Sequence, residues 1–105
     1  MLEREHEYIE EHWPGHLAKT QAFVRQPSIS ADGTGMAEMA AIIRDRIIAL
    51  GGESEILPTP LHPVVWGRID AGKPRTLLYY GMYDVQPVLG EGRDWIVEPF
   101  GGEIR

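Results

Sequence analysis

The clearest candidate for chemistry is Asp84, in the stretch TLLYYGMYDVQPV at residues 76–88. An apolar run ends at Gly81, and the carboxylate follows at the start of a loop. In α/β sheets the loops at strand ends carry ligands and catalytic groups. An aspartate in such a loop can equally cap nearby backbone amides. Asp84 is therefore the candidate catalytic residue, and spacing alone leaves its structural alternative open.

Two of the four histidines, His12 and His16, have the spacing of a metal-ligand pair. Residues four apart share one face of a continuous helix, and two imidazoles there could bind one zinc ion. Pro14 and Gly15 lie between them, and proline interrupts the helix on which that geometry depends. No glutamate stands beside them in the zinc-peptidase arrangement H-E-x-x-H. A metal-binding role for His12 and His16 is therefore not favoured.

The remaining histidines and the serines after Pro27 are predicted to be structural. His6 belongs to a charged N-terminal stretch, and His62 precedes a proline at the start of a predicted strand, which indicates a loop role. Ser28 and Ser30 have no histidine close by in sequence, so a turn or cap role is favoured over that of a nucleophile. The chain contains no dinucleotide-binding glycine motif, phosphate-binding P-loop or nucleophile elbow.

Helices are predicted in the sequence before the candidate aspartate. Apolar residues recur at helical spacing over residues 2–24, and Pro14 predicts either a kink or the first turn of a second helix. Another apolar stripe predicts a helix over residues 35–50, ended by a pair of glycines. Asp32 and Thr34 are the candidate N-cap residues of this helix.

Strands are predicted from residue 53 onward. The segment ESEIL (53–57) is short. The segments PVVWGRI (63–69) and RTLLYYG (75–81) are apolar and rich in β-branched and aromatic residues. The spacer DAGKP (70–74) suits a hairpin loop between the last two. We expect the α/β class, with two N-terminal helices packed on a mixed β-sheet, and a single domain over residues 1–105.

Composition excludes several classes of protein. The 105 residues carry 10 basic and 16 acidic side chains, a net charge of −6, without a run of Lys or Arg, so no nucleic-acid partner is expected. The lack of cysteine excludes disulfides and thiolate-bound metal. No apolar stretch approaches the roughly 20 residues that span a bilayer, and the charged N-terminus is unlike a signal peptide. We expect a cytoplasmic protein with no membrane partner.

Three segments, in this order, resemble a known family. FVRQPSIS (23–30) is similar to the helix-end element R-x-P-S-[VI]-S of the zinc-dependent aminoacylase, dipeptidase and carboxypeptidase family. That family includes acetylornithine deacetylase, succinyl-diaminopimelate desuccinylase and carnosinase-like dipeptidases. LLYYGMYDVQPV (77–88) resembles its strand-end motif G-H-x-D-V-x-P, and DWIVEPFGGEIR (94–105) resembles its W-x-x-x-P-F segment. The resemblance extends over residues 14–105, and the letters DVQP are most similar to the dipeptidase-like branch.

The resemblance implies an incomplete zinc-exopeptidase-like catalytic domain of a hydrolase with two zinc ions. In the family the motif histidine binds one zinc, and the aspartate two residues later orients that histidine. A downstream glutamate acts as general base toward metal-bound water. Carried over by position, Asp84 matches the orienting aspartate.

This chain departs from the family pattern in two ways. Met82 stands where the ligand histidine belongs, and a thioether is a soft, neutral ligand that replaces imidazole poorly on zinc. The sequence also stops at Arg105, before the family's bridging aspartate, catalytic glutamate and remaining ligands. We therefore expect no complete metal site and only weak zinc binding by this chain.

Three functional hypotheses follow. The leading one is the N-terminal segment of a zinc-dependent hydrolase that cleaves amide bonds of dipeptides or N-acyl amino acids, inactive as this isolated chain. Unpaired strand edges would then favour self-association. The alternative is a non-catalytic binding or assembly module that has lost the metal site. The third hypothesis is a small structural α/β domain unrelated to hydrolases. Under this hypothesis the three ordered matches to the family would be coincidental.

Overall fold

The chain forms two compact units, which we name the helical unit and the α/β unit. The structure, a computed structural model, describes residues 1–88 and 94–105. The helical unit comprises residues 1–26 and 88–105, and the α/β unit comprises residues 27–87. The expectation of one domain over the whole chain stays a prediction.

Two helices build the helical unit: α1 (Glu3–Glu11) and α2 (Trp13–Arg25). Pro14 lies in the first turn of α2, where its missing N–H costs no intrahelical hydrogen bond. Of the two outcomes predicted for Pro14, the structure shows the start of a second helix. Neither helix, nor any other among the described residues, is long and apolar enough to cross a membrane.

The C-terminal residues of the helical unit are attached to α2 by two side chains. Gln21 Nε2 donates to the carbonyl oxygen of Gly102 at 2.8 Å, and Arg25 Nε donates to that of Gly101 at 3.1 Å. Gly102 has a φ of +66°, and a Cβ there would meet the Gln21 carbonyl oxygen at 3.1 Å. A glycine therefore fits both the backbone conformation and the close approach to α2.

Helix α3 (Met36–Ala49) supplies the buried apolar side chains of the α/β unit. The prediction over residues 35–50 is confirmed, including its glycine stop. The N–H groups of Gly51 and Gly52 donate to the carbonyls of Ile48 and Ile47 at 2.9 and 3.0 Å, the pattern of a Schellman motif. The buried side chains on this helix are Met36, Met39 and Ala40.

The predicted N-cap of α3 was wrong. Gly35 occupies that position with a φ of +70° and provides no side-chain cap. The Asp32 carboxylate instead accepts the backbone N–H of Thr34 at 2.9 Å within the preceding turn. This backbone hydrogen bond lowers the pKa of Asp32, and the Thr34 hydroxyl adds to the effect.

The sheet has two strands, β1 (Glu53–Leu57) and β2 (Val64–Arg68), and α3 packs on both. They pair antiparallel, with Glu53 opposite Arg68 and Leu57 opposite Val64. A Cβ at Gly67 would lie 2.6 Å from Ile47 Cδ1, so the absence of a side chain lets α3 approach β2 closely. Two of the three predicted strands and the α/β class are thereby confirmed, and the sheet is antiparallel rather than mixed within the described residues.

The predicted third strand and its hairpin were wrong. Residues 75–81 belong to no strand of the described chain, and β2 pairs with β1 instead. The side chains of Leu77, Leu78, Tyr79 and Tyr80 are between 84% and 92% exposed. An apolar sequence favours a strand only where a neighbouring strand accepts its backbone hydrogen bonds, and here none is paired with this run.

Candidate functional site

The candidate site is built around Asp84, on a segment that lies beside the segment FVRQPSIS (23–30). Ile29 and Val85 form a parallel β-bridge, and the Val85 N–H donates to the Ser28 carbonyl at 2.9 Å. We call residues 27–30 and 82–85 together the serine–aspartate joint. Two of the three segments that carry the family resemblance therefore meet in space.

Two serine hydroxyls hold the joint together. Ser28 is only 1% exposed, and its Oγ donates to the Tyr83 carbonyl at 2.8 Å. The Ser30 Oγ donates to Asp84 Oδ2 at 2.7 Å. A hydrogen bond to a carboxylate is stronger than one between neutral groups, so Ser30 fixes the orientation of Asp84. Both hydroxyls position other groups by donating hydrogen bonds, and that neither serine is a nucleophile stays a prediction.

The loop before β2 adds two further hydrogen bonds to the joint. His62 lies in this loop, as predicted, and its Nε2 is 2.7 Å from the Ser30 carbonyl oxygen. A carbonyl only accepts, so Nε2 carries the proton and is the donor. The Tyr83 hydroxyl donates to the Pro63 carbonyl at 2.6 Å. Residues 28–30 and Pro63 thus contact the segment on both sides of Asp84, and His62 in turn holds Ser30.

The electrostatics of the joint involve the Tyr83 phenol and the exposed Asp84 carboxylate. Burial raises the pKa of Tyr83, and the neighbouring negative charge of Asp84 raises it further. Both effects keep the Tyr83 phenol protonated and able to donate to Pro63. Asp84 itself is exposed to solvent and accepts one hydroxyl, which leaves lone pairs for a donor from outside the joint. Chemically, the arrangement offers a held, water-accessible carboxylate.

The residues around Asp84 do not fit a zinc site. Met82 occupies the position of the family's histidine, and its side chain is 81% exposed. The donor to Asp84 is the Ser30 hydroxyl, whereas an orienting aspartate in a metal site accepts the N–H of a ligand imidazole. Within residues 1–88 and 94–105, no three His, Cys, Asp or Glu side chains are grouped as metal ligands.

Sequence reasoning missed the supporting contacts of Ser28, Tyr83 and His62. Ser28 and Tyr83 are 55 residues apart in the sequence, and Ile29 and Val85 are separated by a similar distance along the chain. A local sequence pattern cannot predict contacts between residues so far apart. The available signal was the resemblance itself, because the two motifs flanking these residues belong to one family pattern. Two motifs of a single site indicate spatial proximity even without any periodicity.

Comparison with known proteins identifies two relatives. No protein-family model matches the chain. The Cys-Gly metallodipeptidase DUG1 of Candida albicans is 36% identical over 110 residues, which cover 88% of this chain and 22% of that protein. The crystal structure of an M20 family metallo-carboxypeptidase, Sso-CP2 from Sulfolobus solfataricus, superposes with a TM-score of 0.74 at 37% identity. That superposition covers 81% of this chain and 20% of the carboxypeptidase, so the chain spans about a fifth of the length of either relative.

Proposed function

Since the chain is homologous to part of the zinc-dependent aminoacylase, dipeptidase and carboxypeptidase family, we propose that it is the N-terminal portion of a metallohydrolase catalytic domain, the portion that carries the orienting aspartate. The hydrolase family follows from the two relatives, which are a metallodipeptidase and a metallo-carboxypeptidase. One structural observation supports the role of Asp84: its carboxylate is held by Ser30, from the other motif of the same family pattern.

The proposed substrates are small molecules with an amide bond. One relative is named for the dipeptide Cys-Gly and the other for carboxypeptidase activity, which supports dipeptides or N-acyl amino acids as the substrate class of the whole domain. Cleavage of such substrates in the cytoplasm, with two zinc ions, belongs to the same proposal. Asp84 would contribute by accepting a hydrogen bond from a neighbouring imidazole and so fixing that ring's orientation.

The isolated chain is proposed to be inactive. At the position of the ligand histidine it presents the thioether of Met82, and Asp84 has a hydroxyl donor in place of an imidazole. Zinc binding by such a set of side chains is weak, because a thioether matches zinc poorly. No hydrolytic step is therefore assigned to these 105 residues alone.

Replacing Met82 by histidine tests the assignment of Asp84. In a chain that also carries His12→Ala and His16→Ala, so that these two histidines cannot compete for the metal, Met82→His should introduce an imidazole beside the carboxylate and raise the zinc affinity measured by calorimetry. The part of this gain that depends on Asp84 should be roughly tenfold, the scale of an outer-shell contribution. Met82→Leu is the matched control and leaves zinc affinity unchanged. The double variant Met82→His, Asp84→Asn should lose that part of the gain. An equal gain without the Asp84 carboxylate would contradict the proposed role.

A second candidate function is a non-catalytic binding or assembly module. It is supported by Met82, an exposed thioether at the position of the family's ligand histidine, since a chain that has lost its metal ligand can keep the fold without the catalysis. A purpose-made module should be monodisperse in light scattering and melt cooperatively, whereas the portion of a larger domain should self-associate through the exposed run of residues 77–80.

A further inference from the structure

A cluster of three aromatic rings lies where α1 meets α2. The backbone N–H of His12 donates to the Tyr8 carbonyl at 3.1 Å, and that of His16 donates to the His12 carbonyl at 3.0 Å. These are the i→i−4 hydrogen bonds of an α-helix, and they continue across the junction although Pro14 lies between the two histidines. His12 and His16 are therefore one turn apart on the same face, the geometry on which a ligand pair depends.

The rings of the cluster are close together. Tyr8 stacks on His12 with ring centroids 4.1 Å apart and an interplanar angle of 23°. The centroids of His12 and His16 are 6.3 Å apart, and a rotation of the His16 ring alone would bring the two imidazoles within the span of one metal ion while His12 stays stacked on Tyr8. Stacking on Tyr8 restricts the motion of the His12 ring and so lowers the entropy lost when it binds a ligand.

Each histidine offers an Nε2 atom without a hydrogen-bond partner among the described residues. His12 Nδ1 is 2.8 Å from the Tyr8 carbonyl oxygen, and since a carbonyl only accepts, Nδ1 is the donor. The neutral His12 ring then carries its lone pair on Nε2, as in metal-bound histidines whose other nitrogen donates to a backbone carbonyl. His16 Nε2 is buried and has no partner in the described chain. A buried polar atom without a partner calls for a ligand or an ordered water.

An open pocket of about 300 Å³ adjoins both rings. Its walls include His12 and His16, with the charged side chains of Glu11 and Lys19 also present. A bound water takes roughly 30 Å³, so the pocket has room for an ion that keeps several waters. The lining contains one carboxylate, Glu11, and one ammonium, Lys19, so charge alone does not favour a hard cation such as Mg²⁺ or Ca²⁺, whereas an ion that bonds imidazole nitrogen gains more than charge.

We propose that His12 and His16 form a two-imidazole site for a divalent transition-metal ion, with water in its remaining coordination positions. Imidazole suits Cu²⁺, Ni²⁺ and Zn²⁺, and affinity for a nitrogen site rises from Ni²⁺ to Cu²⁺ and falls again at Zn²⁺. Two protein ligands leave open positions, which agrees with the lack of any group of three ligand side chains in residues 1–88 and 94–105. This site uses none of the residues of the serine–aspartate joint and does not rest on the proposed function.

Titration of the 105-residue chain with Cu²⁺ tests the proposal. We expect one ion per chain, with an electron paramagnetic resonance spectrum that shows nitrogen coupling. His12→Ala and His16→Ala should each weaken binding by roughly tenfold or more, since even the loss of an outer-shell partner costs 10–100-fold. His6→Ala is the matched control, because it removes an exposed histidine outside the pocket and should leave the affinity unchanged.

A second measurement needs no variant. In the unaltered chain, substoichiometric Cu²⁺ should broaden the ring resonances of His12 and His16 before those of His6 and His62. Equal broadening of all four rings, or an equal loss of affinity in His6→Ala, would overturn the proposal. The proposal would also be overturned if the ring resonances of His12 and His16 changed on addition of inorganic phosphate and not on addition of Cu²⁺. That result would make the cluster an anion site.

Discussion

Two neighbouring stretches of the α/β unit differ sharply, although the sequence presents them as one motif. The apolar run of residues 77–80 is almost fully exposed and is paired with no strand of the described chain. The serine–aspartate joint begins two residues later and is held by a backbone bridge and two serine hydroxyls. The more hydrophobic of the two stretches is therefore the less buried. Order here depends on available hydrogen-bond partners, because an extended backbone needs them whatever its side chains.

The largest effect should come from removing the buried donor of the joint. Ser28→Ala leaves the Tyr83 carbonyl without its 2.8 Å partner, and an unsatisfied buried group costs about 1–3 kcal/mol in the free energy of unfolding. Urea denaturation measures this loss. The matched control is Ser54→Ala, which removes a similar 2.7 Å bond to the Trp66 carbonyl at a more exposed position and should cost less. Equal costs would show that the joint is no more buried than the strand surface.

A smaller effect should come from the bond between Ser30 and Asp84. A double-mutant cycle of Ser30→Ala and Asp84→Asn should give a coupling energy of about 0.5–1.5 kcal/mol, since the pair is charge-assisted but open to solvent. Ser30→Thr retains a hydroxyl and should recover part of the coupling. A coupling energy of zero would mean that Asp84 is not positioned by Ser30.

Alkaline pH should weaken the joint through Tyr83. Its pKa is raised in the folded state by burial and by Asp84, so the folded chain holds the phenolic proton more tightly than the unfolded chain. The resulting stability is complete below the ordinary value of 10.0 and is lost as pH rises through the raised pKa. Tyr83→Phe should therefore show a shallower fall in stability above pH 10.0 than the unaltered chain. Identical slopes would contradict the burial of this phenol, and Tyr79→Phe, on the exposed run, serves as the control.

The smallest change in stability should come from the apolar run. Leu78→Ala removes a side chain that is already in water, so the free energy of unfolding should shift by no more than about 0.5 kcal/mol. Its effect should appear instead in association, with a lower apparent mass at high concentration in light scattering. A loss of several kcal/mol would show that the run is buried in solution, which would remove the contrast with the joint.

Local sequence pattern predicted the parts of the fold that depend on neighbours in the chain. Helix α3 follows from its apolar stripe and its glycine stop, and both appear at the expected residues. Strand β2 likewise follows from an apolar segment, and strand β1 from the short segment ESEIL. The failure at residues 75–81 has a physical cause, since a strand is defined by its partner and the sequence of one segment does not specify one.

The position of the candidate site could be predicted from the sequence, but the contacts that form the site could not. The family resemblance placed Asp84 and marked Met82 as a departure. It gave no distance, and the contacts that fix Asp84 join residues more than 50 positions apart. The histidine pair shows the opposite case: spacing suggested it, Pro14 argued against it, and only the backbone hydrogen bonds across the junction restored the shared face.

We propose that these 105 residues carry the orienting aspartate of a zinc hydrolase without its metal-binding histidine. The most direct test is the zinc content of the purified chain after dialysis, measured by mass spectrometry together with hydrolysis of Cys-Gly and of an N-acetyl amino acid. We expect zinc well below one ion per chain in the His12→Ala, His16→Ala variant, and no hydrolysis by that variant or by the unaltered chain. Two tightly held zinc ions with chelator-sensitive hydrolysis would contradict it.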